Sequence, residues 1–483
     1  MRVRDEMLGL VTAIIDGIRQ CADLEQDSVQ RMQNDLSEAI GFLPEESLGT
    51  AVSSLQGAVN EIGIAEDGVS MALARAQDLR AVIKELDVTY DVVFMPYNAS
   101  MWDCMHTVWR AAKEDPRCRV RVVSVPYADR NPDGSVKEWH DHEKLFPPEV
   151  EMTPFTHFDL QSERPDVIYV HNPYDGYNIV TSVSPEYYSE ELRKLARFLV
   201  YIPYWVSAVD YEEHFDLHQS FANFDKVIYQ SEAYAQRAIA TWSSSKIVPL
   251  GSPKFDLATA SGAPVPRAWA KKIEGRKVLL QLTSVNTLLV EREKFVEKLA
   301  EVIDVLKGHD DLALWWRPHP LEQATVMSMA PGLSEAYAAV LKWASASDQV
   351  VLDDSVDLHR AIHAADAYYG GNSSVVPLFG LTGKPIVIQN CDIKTDERRG
   401  EAMPQGWIPE VWDESLRYSR YARYARLEHH IFEGVLTYLK GFWEGGGTLV
   451  PGQQEFFASL AAHSDGTAGE RIHRYIMSCL QDM

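Results

Sequence analysis

Over roughly the first 86 residues, apolar positions recur at intervals of three and four. Leu8, Leu10, Val11, Ile14, Ile15 and Ile18 fall on one stripe of a helix, and Gly41, Pro44, Gly49, Gly63 and Gly68 punctuate the segment into about four helices. A stripe of that kind needs a partner surface. The expectation is a small antiparallel helical bundle over residues 1–86, used as a support or for self-association into a homo-oligomer. The heptads are not sustained, which argues against a long coiled coil.

At Val88 the texture changes to short β-branched and aromatic runs separated by helical stretches. Strands are expected in YDVVFMPY, RVRVVSVPY (119–127), PDVIYVHN (from 165), RFLVYIPYW (197–205), FDKVIYQSE (224–232) and KIVPL (from 246). Residues 129–144 read as a polar loop, and 257–270, rich in Ala, Pro, Ser and Gly, as a linker. A second series follows: KVLLQLTS (277–284), a helix near Val290–Leu306, and LALWWRPHP (312–320). Strands alternating with helices predict doubly wound parallel sheets, hence an α/β chain of two Rossmann-like domains, 87–260 and 261–483, facing a cleft.

The stretch Val350–Asn390 completes the second series. Val350–Leu352 and Ala367–Tyr369 are buried-strand runs, with an amphipathic helix from Leu358 between them. Gly370-Gly371-Asn372-Ser373-Ser374 then breaks the strand and opens an apolar helix, Val375–Leu381, which Gly383 ends before Lys384-Pro385 and the strand Ile386–Gln389. The glycines allow a ligand close to the backbone, and the serines lie where a helix start offers free N–H groups to a phosphate. A tight turn with a serine cap is the alternative.

Composition narrows the choice of partner. A formal net charge of −24 over 483 residues excludes a general nucleic-acid binder and requires any anionic substrate to meet a local basic pocket. The five cysteines form no C-x-x-C pair, so neither a zinc ribbon nor a disulfide framework is expected, and a reducing cytoplasm fits best. No signal peptide and no membrane span are expected.

Several side chains carry chemistry. Arg317-Pro318-His319-Pro320 follows a strand, where ligand groups belong; the guanidinium offers a fork to phosphate and the imidazole a donor, acid or base. A structural turn with a solvent-facing His is the other reading. His171-Asn172-Pro173-Tyr174-Asp175 follows a strand of the first domain and would face the same cleft, or else form an Asx turn. His214 and His218 share an i, i+4 spacing without a third ligand, and His140-Asp141-His142 sits in a charged loop; no metal site is expected. Arg417, Arg420, Arg423 and Arg426 recur every three residues among tyrosines. On a helix they would spread over half of its surface, as a solvated face or as a contact for an anionic polymer or membrane surface.

Three of these motifs, in order and spacing over about 195–390, resemble the CDP-glycerol:poly(glycerophosphate) glycerophosphotransferase, or teichoic-acid polymerase, family. They are FDKVIYQSE…KIVPLGSPKFD with Gly251, Pro253, Lys254 and Asp256; Arg317-Pro-His-Pro; and Asp366 through Pro385. The resemblance implies a GT-B architecture, a CDP-activated donor held by the C-terminal domain, and a hydroxyl acceptor that is lipid-linked or polymeric at the inner face of the cell membrane. It further implies substrate contacts from Arg317, Gly371, Asn372, Ser373, Ser374, Lys384 and Lys254, with His319 at the donor phosphates and no cofactor. The family's His-Gly-Thr element is replaced by Pro203-Tyr204-Trp205, and its Pro-Thr-x-Arg turn by Leu282-Thr283-Ser284. His171, with Asp175 behind it, is therefore the candidate base. A nucleotide-sugar GT-B enzyme and a catalytically silent GT-B scaffold remain alternatives.

Overall fold

The computed structural model describes residues 2–481 except 87, 132, 179–180, 208–217, 261, 320–321, 372, 391–422, 427–430, 446–448, 450–451 and 464. Four helices, α1 (Arg2–Gln20), α2 (Gln26–Gly41), α3 (Glu45–Asn60) and α4 (Gly68–Lys84), form the N-terminal bundle. The stripe of Val11, Ile14 and Ile18 on α1 is buried in one cluster with Leu36 and Ile40, Leu55 and Val59, and Leu79 and Ile83. Each such burial contributes roughly 1.5–3 kcal/mol relative to exposure. The buried polar side chain Gln33 is satisfied within this cluster: its Nε2 donates to the carbonyls of Val59 at 3.0 Å and Ile62 at 2.7 Å, closing the end of α3.

The next ten strands are β1 (Tyr90–Phe94), β2 (Cys118–Val123), β3 (Tyr127–Arg130), β4 (Val136–His140), β5 (Met152–Thr153), β6 (Val167–Val170), β7 (Thr181–Val183), β8 (Phe198–Tyr201), β9 (Lys226–Ile228) and β10 (Ile247–Val248). Seven form a sheet in the order β10-β9-β8-β6-β1-β2-β5. The pairs β8–β9, β9–β10 and β2–β5 run parallel. Strands β6 and β8 are buried at every position, as their unbroken apolar runs require of a sheet covered on both faces. The polar stretch expected as a loop instead contains the antiparallel β3–β4 hairpin, which β7 extends to three strands. Its outer strand β4 is exposed almost throughout, which is why no apolar alternation marked it.

The second sheet comprises β11 (Lys277–Leu282), β12 (Leu312–Arg317), β13 (Val350–Leu352), β14 (Ala367–Gly370), β15 (Ile386–Asn390) and β16 (Arg423–Arg426). Every pair in it is parallel and the order is β13-β12-β11-β14-β15-β16. Alternate residues serve opposite faces: Leu279, Trp316 and Tyr369 pack into one core, and Leu280, Trp315 and Tyr368 into the other. The order reverses between β11 and β14, and the crevice at their carboxyl ends is the topological switch point of a doubly wound sheet. Because Arg423–Arg426 form a strand paired with β15, the helical reading of the arginine repeat is corrected there; Arg417 and Arg420 lie outside the described residues.

The stretch expected as a linker begins inside a helix, Pro253–Thr259, that joins the two sheets' elements. Asp256 on it accepts hydrogen bonds from Thr107 Oγ1 at 2.8 Å and from the N–H groups of Ala468 and Gly469 at 2.9 and 2.8 Å. One carboxylate thereby ties this helix to the helices His106–Glu114 and Ala468–Gln481. No helix among the described residues is long and apolar enough to cross a membrane.

Candidate functional site

A cavity of about 740 Å³ opens at the switch point of the second sheet. Leu282, Thr283 and Ser284 reach it from the end of β11, Arg317, Pro318 and His319 from the end of β12, and Asp353–Val356 from the end of β13. Gly371, Ser373 and Ser374 follow β14; Tyr337, Leu341 and Ser345 come from the helix Ser334–Ala346, and Ser100 from the segment after β1. The guanidinium–imidazole turn and the serine turn thus share one cavity. The volume suits a ligand of nucleotide size.

The serine turn is shaped by close backbone contact. Gly371 N–H donates to the Leu282 carbonyl at 2.9 Å, and Tyr368 Oη donates to the Gly371 carbonyl at 2.6 Å. Ser373 Oγ accepts from Val375 N–H at 3.2 Å, while Ser374 makes no side-chain cap and is exposed to the cavity. The helix that follows is only six residues long, so its dipole is weak. Anion affinity at this turn must therefore come from hydroxyls and turn N–H groups. Ser284, capping the next helix at Thr287 N–H, 3.1 Å, adds a hydroxyl opposite Gly371. Asn372 lies outside the described residues.

Arg317 spends much of its fork inside the protein. Its Nη1 is ion-paired with Asp353, whose carboxylate is fully buried, and donates to the Asp357 carbonyl at 3.2 Å; Nη2 donates to the Ser355 carbonyl at 2.7 Å. It shapes the 353–357 loop that lines the cavity. The expectation of a guanidinium given over to phosphate is corrected to that extent, because a buried carboxylate holds a nearby cation first.

His319 stands beside it, exposed toward the cavity, and partial desolvation of its ring lowers its pKa below the ordinary 6.5, favouring the neutral imidazole. Its backbone is fixed by Glu322: Glu322 N–H donates to the His319 carbonyl at 2.8 Å, and Tyr337 Oη donates to the Glu322 carboxylate at 2.8 Å. Burial raises the pKa of Glu322. Sequence reasoning missed Glu322, Asp353 and Ser284. A Glu three residues after a turn imidazole, at the first position of a helix, was the available sign of the first of these.

The remaining expected residues fall elsewhere. His171 is fully buried; its ring stacks on Tyr97 with centroids 4.8 Å apart, and its Nε2 accepts from Tyr97 N–H at 3.2 Å. Burial pushes its pKa down to about 3. It does not line the cavity, so the role of base expected for it is corrected. Asp175 is not behind it: its carboxylate accepts from Ser189 N–H at 2.8 Å and Ser189 Oγ at 2.6 Å. Lys384 Nζ donates to the His363 and Ala365 carbonyls, away from the cavity, and burial lowers its pKa. Lys254 is buried in an ion pair with Asp103. Neither lysine lines the cavity. His140 pairs with Asp129 and His142 contacts Tyr127 Oη, so both serve the hairpin; His214 lies outside the described residues and His218 bonds Ser220.

Two Rossmann-like domains with a serine-lined cavity at the switch point of the second sheet define an α/β fold of the GT-B type. Among solved structures, the chain is similar in fold to the wall teichoic acid polymerase TagF. One TagF structure is matched at 14% identity and TM-score 0.50 and another at 13% and 0.51, each over 90% of this chain and 98% of that one. A UDP-N-acetylglucosamine 2-epimerase is matched at 12% identity and TM-score 0.50, over 82% of this chain and 98% of its own. No family model and no curated protein sequence matches the chain.

Proposed function

We propose that the chain is a transferase that moves glycerol phosphate, or a related polyol phosphate, from a CDP-activated donor to a hydroxyl acceptor in the synthesis of a teichoic-acid-like cell-wall polymer. The observation that carries this reading is the convergence of His319, Ser373, Ser374 and Ser284 on one cavity at the switch point. The acceptor oxygen attacks the β-phosphorus, the new P–O bond forms in line, the bond to the α-phosphate bridge breaks, and CMP leaves with the electron pair. Neutral His319 donates a hydrogen bond to a phosphate oxygen, and the hydroxyls and turn N–H groups hold the others. Arg317 contributes its field and holds the wall. The acceptor's proton passes to solvent water in the cavity.

A nucleotide sugar is the second reading, favoured by one feature: with Arg317 committed to Asp353, the cavity is rich in hydroxyls and poor in unspent cations. A thermal-shift panel of CDP-glycerol, CDP-ribitol and UDP-sugars separates the two. Stabilisation by a CDP-polyol and loss of its turnover in His319→Ala are expected. Indifference to every nucleotide would leave a silent scaffold as the better account.

A further inference from the structure

Three titratable side chains that the donor chemistry does not use meet where the two sheets' elements join. Asp103 lies on the 3-10 turn Ala99–Cys104 after β1, Lys254 on the joining helix, and His359 on the helix Leu358–Ala364 that leads into β14. Lys254 Nζ stands 2.5 Å and His359 Nε2 3.0 Å from the same oxygen, Asp103 Oδ2. All three side chains are nearly buried, with 12%, 7% and 10% of their surface exposed for Asp103, Lys254 and His359. The other atoms of the pair, Asp103 Oδ1 and His359 Nδ1, are buried and unbonded. A buried ionic trio left half-satisfied is a poor way to gain stability, since apolar packing would serve better.

Its location gives it another use. Ser100, on the same 3-10 turn as Asp103, lines the cavity from the first-sheet side. Leu358, next to His359, lines it from the second. The Asp103–His359 bond therefore fixes the distance between two walls of one cavity.

We propose that Asp103 is a positioning residue for donor binding: pinned to His359 and Lys254, it holds the Ser100 wall against the second-sheet wall. The kinetic part of this proposal rests on the nucleotide-donor reading above. The pin itself does not.

The test compares Asp103→Asn, His359→Leu and His359→Gln, the last of which keeps a side-chain donor for Asp103. With the CDP-polyol donor, Asp103→Asn and His359→Leu should raise KM at least tenfold with kcat within threefold of wild type, and His359→Gln should stay within threefold in both. Amide hydrogen exchange over Ala99–Cys104 should quicken in the first two and not in the third. A KM that does not move, a kcat loss without a KM change, or His359→Gln behaving as His359→Leu would overturn the proposal. Should Asp103→Asn fail to fold, the His359 pair carries the comparison. If wild type binds no nucleotide, the functional reading falls alone and exchange decides the pin: unchanged exchange in His359→Leu refutes it.

Discussion

Gly370 lies directly against the backbone of Leu282: a β-carbon on it would stand 2.7 Å from the Leu282 carbonyl oxygen and 2.8 Å from its amide nitrogen. Neither atom is the mobile end of a side chain, and both belong to the strand that leads into Thr283 and Ser284. Gly370→Ala should therefore push β14 away from β11 and carry the serine turn with it. Overpacking of this kind typically costs about 1–3 kcal/mol, and backbone contact places it at the upper end. Denaturant titration should show that loss, and calorimetric titration should show weakened binding of the CDP-polyol. An alanine variant as stable as wild type would mean that the two strands are not in register at this point.

The ion pair of Arg317 with Asp353 should be asymmetric under mutation. Asp353 is fully buried, accepting also from Trp315 Nε1 at 2.8 Å and Ser355 N–H at 2.9 Å. Arg317→Met removes the cation and leaves a buried carboxylate uncompensated, which typically costs about 3–5 kcal/mol. Changing both residues, Arg317→Met with Asp353→Asn, should recover part of it. Chemical denaturation of the single and double variants measures the difference, and equal losses in both would remove the pair from the loop's stability.

The fold was legible because its signals were of the strong kind. Buried parallel strands such as Val167–Val170 and Leu312–Trp316 are unbroken apolar runs between turns, and Val11, Ile14 and Ile18 mark a helix face at its own period. The β4 strand was illegible because an exposed edge strand needs no apolar alternation, and Arg423–Arg426 because a three-residue step suggests a helix. At the site, the turns after β12 and β14 could be read from their position at strand ends. What a side chain does there could not. Lys254, Lys384 and Arg317 all carry charges suited to phosphate, yet each has its donors engaged by a carboxylate or carbonyl distant in sequence. His171 shows the same limit: the strand end was right, but the imidazole points into the core and serves Tyr97.

That imidazole should make the protein acid-sensitive. Its folded pKa is depressed from 6.5 to about 3 by burial, so as pH falls the unfolded chain takes up this proton first. The stability linked to His171 is fully present above about pH 6.5 and is lost progressively toward about pH 3, at up to about 1.4 kcal/mol per pH unit. His171→Gln keeps an acceptor for Tyr97 N–H and should flatten the slope of unfolding free energy against pH. An unchanged slope would show that some other group takes up the proton.

Ser373 and Ser374 should separate stability from binding. Ser373 Oγ accepts from Val375 N–H, so Ser373→Ala removes a local bond in the fold, and a loss of about 1 kcal/mol is expected with the loss of affinity. Ser374 caps nothing and faces the cavity, so Ser374→Ala should leave the melting temperature unchanged. If its hydroxyl donates to a donor phosphate, the missing charge-assisted bond is worth about 1.5–3 kcal/mol, roughly a tenfold to hundredfold rise in KM for the CDP-polyol. Melting curves and donor titrations on the two variants give both readings. A Ser374→Ala protein with wild-type KM would place the phosphates away from this turn, and with them the assignment of the cavity.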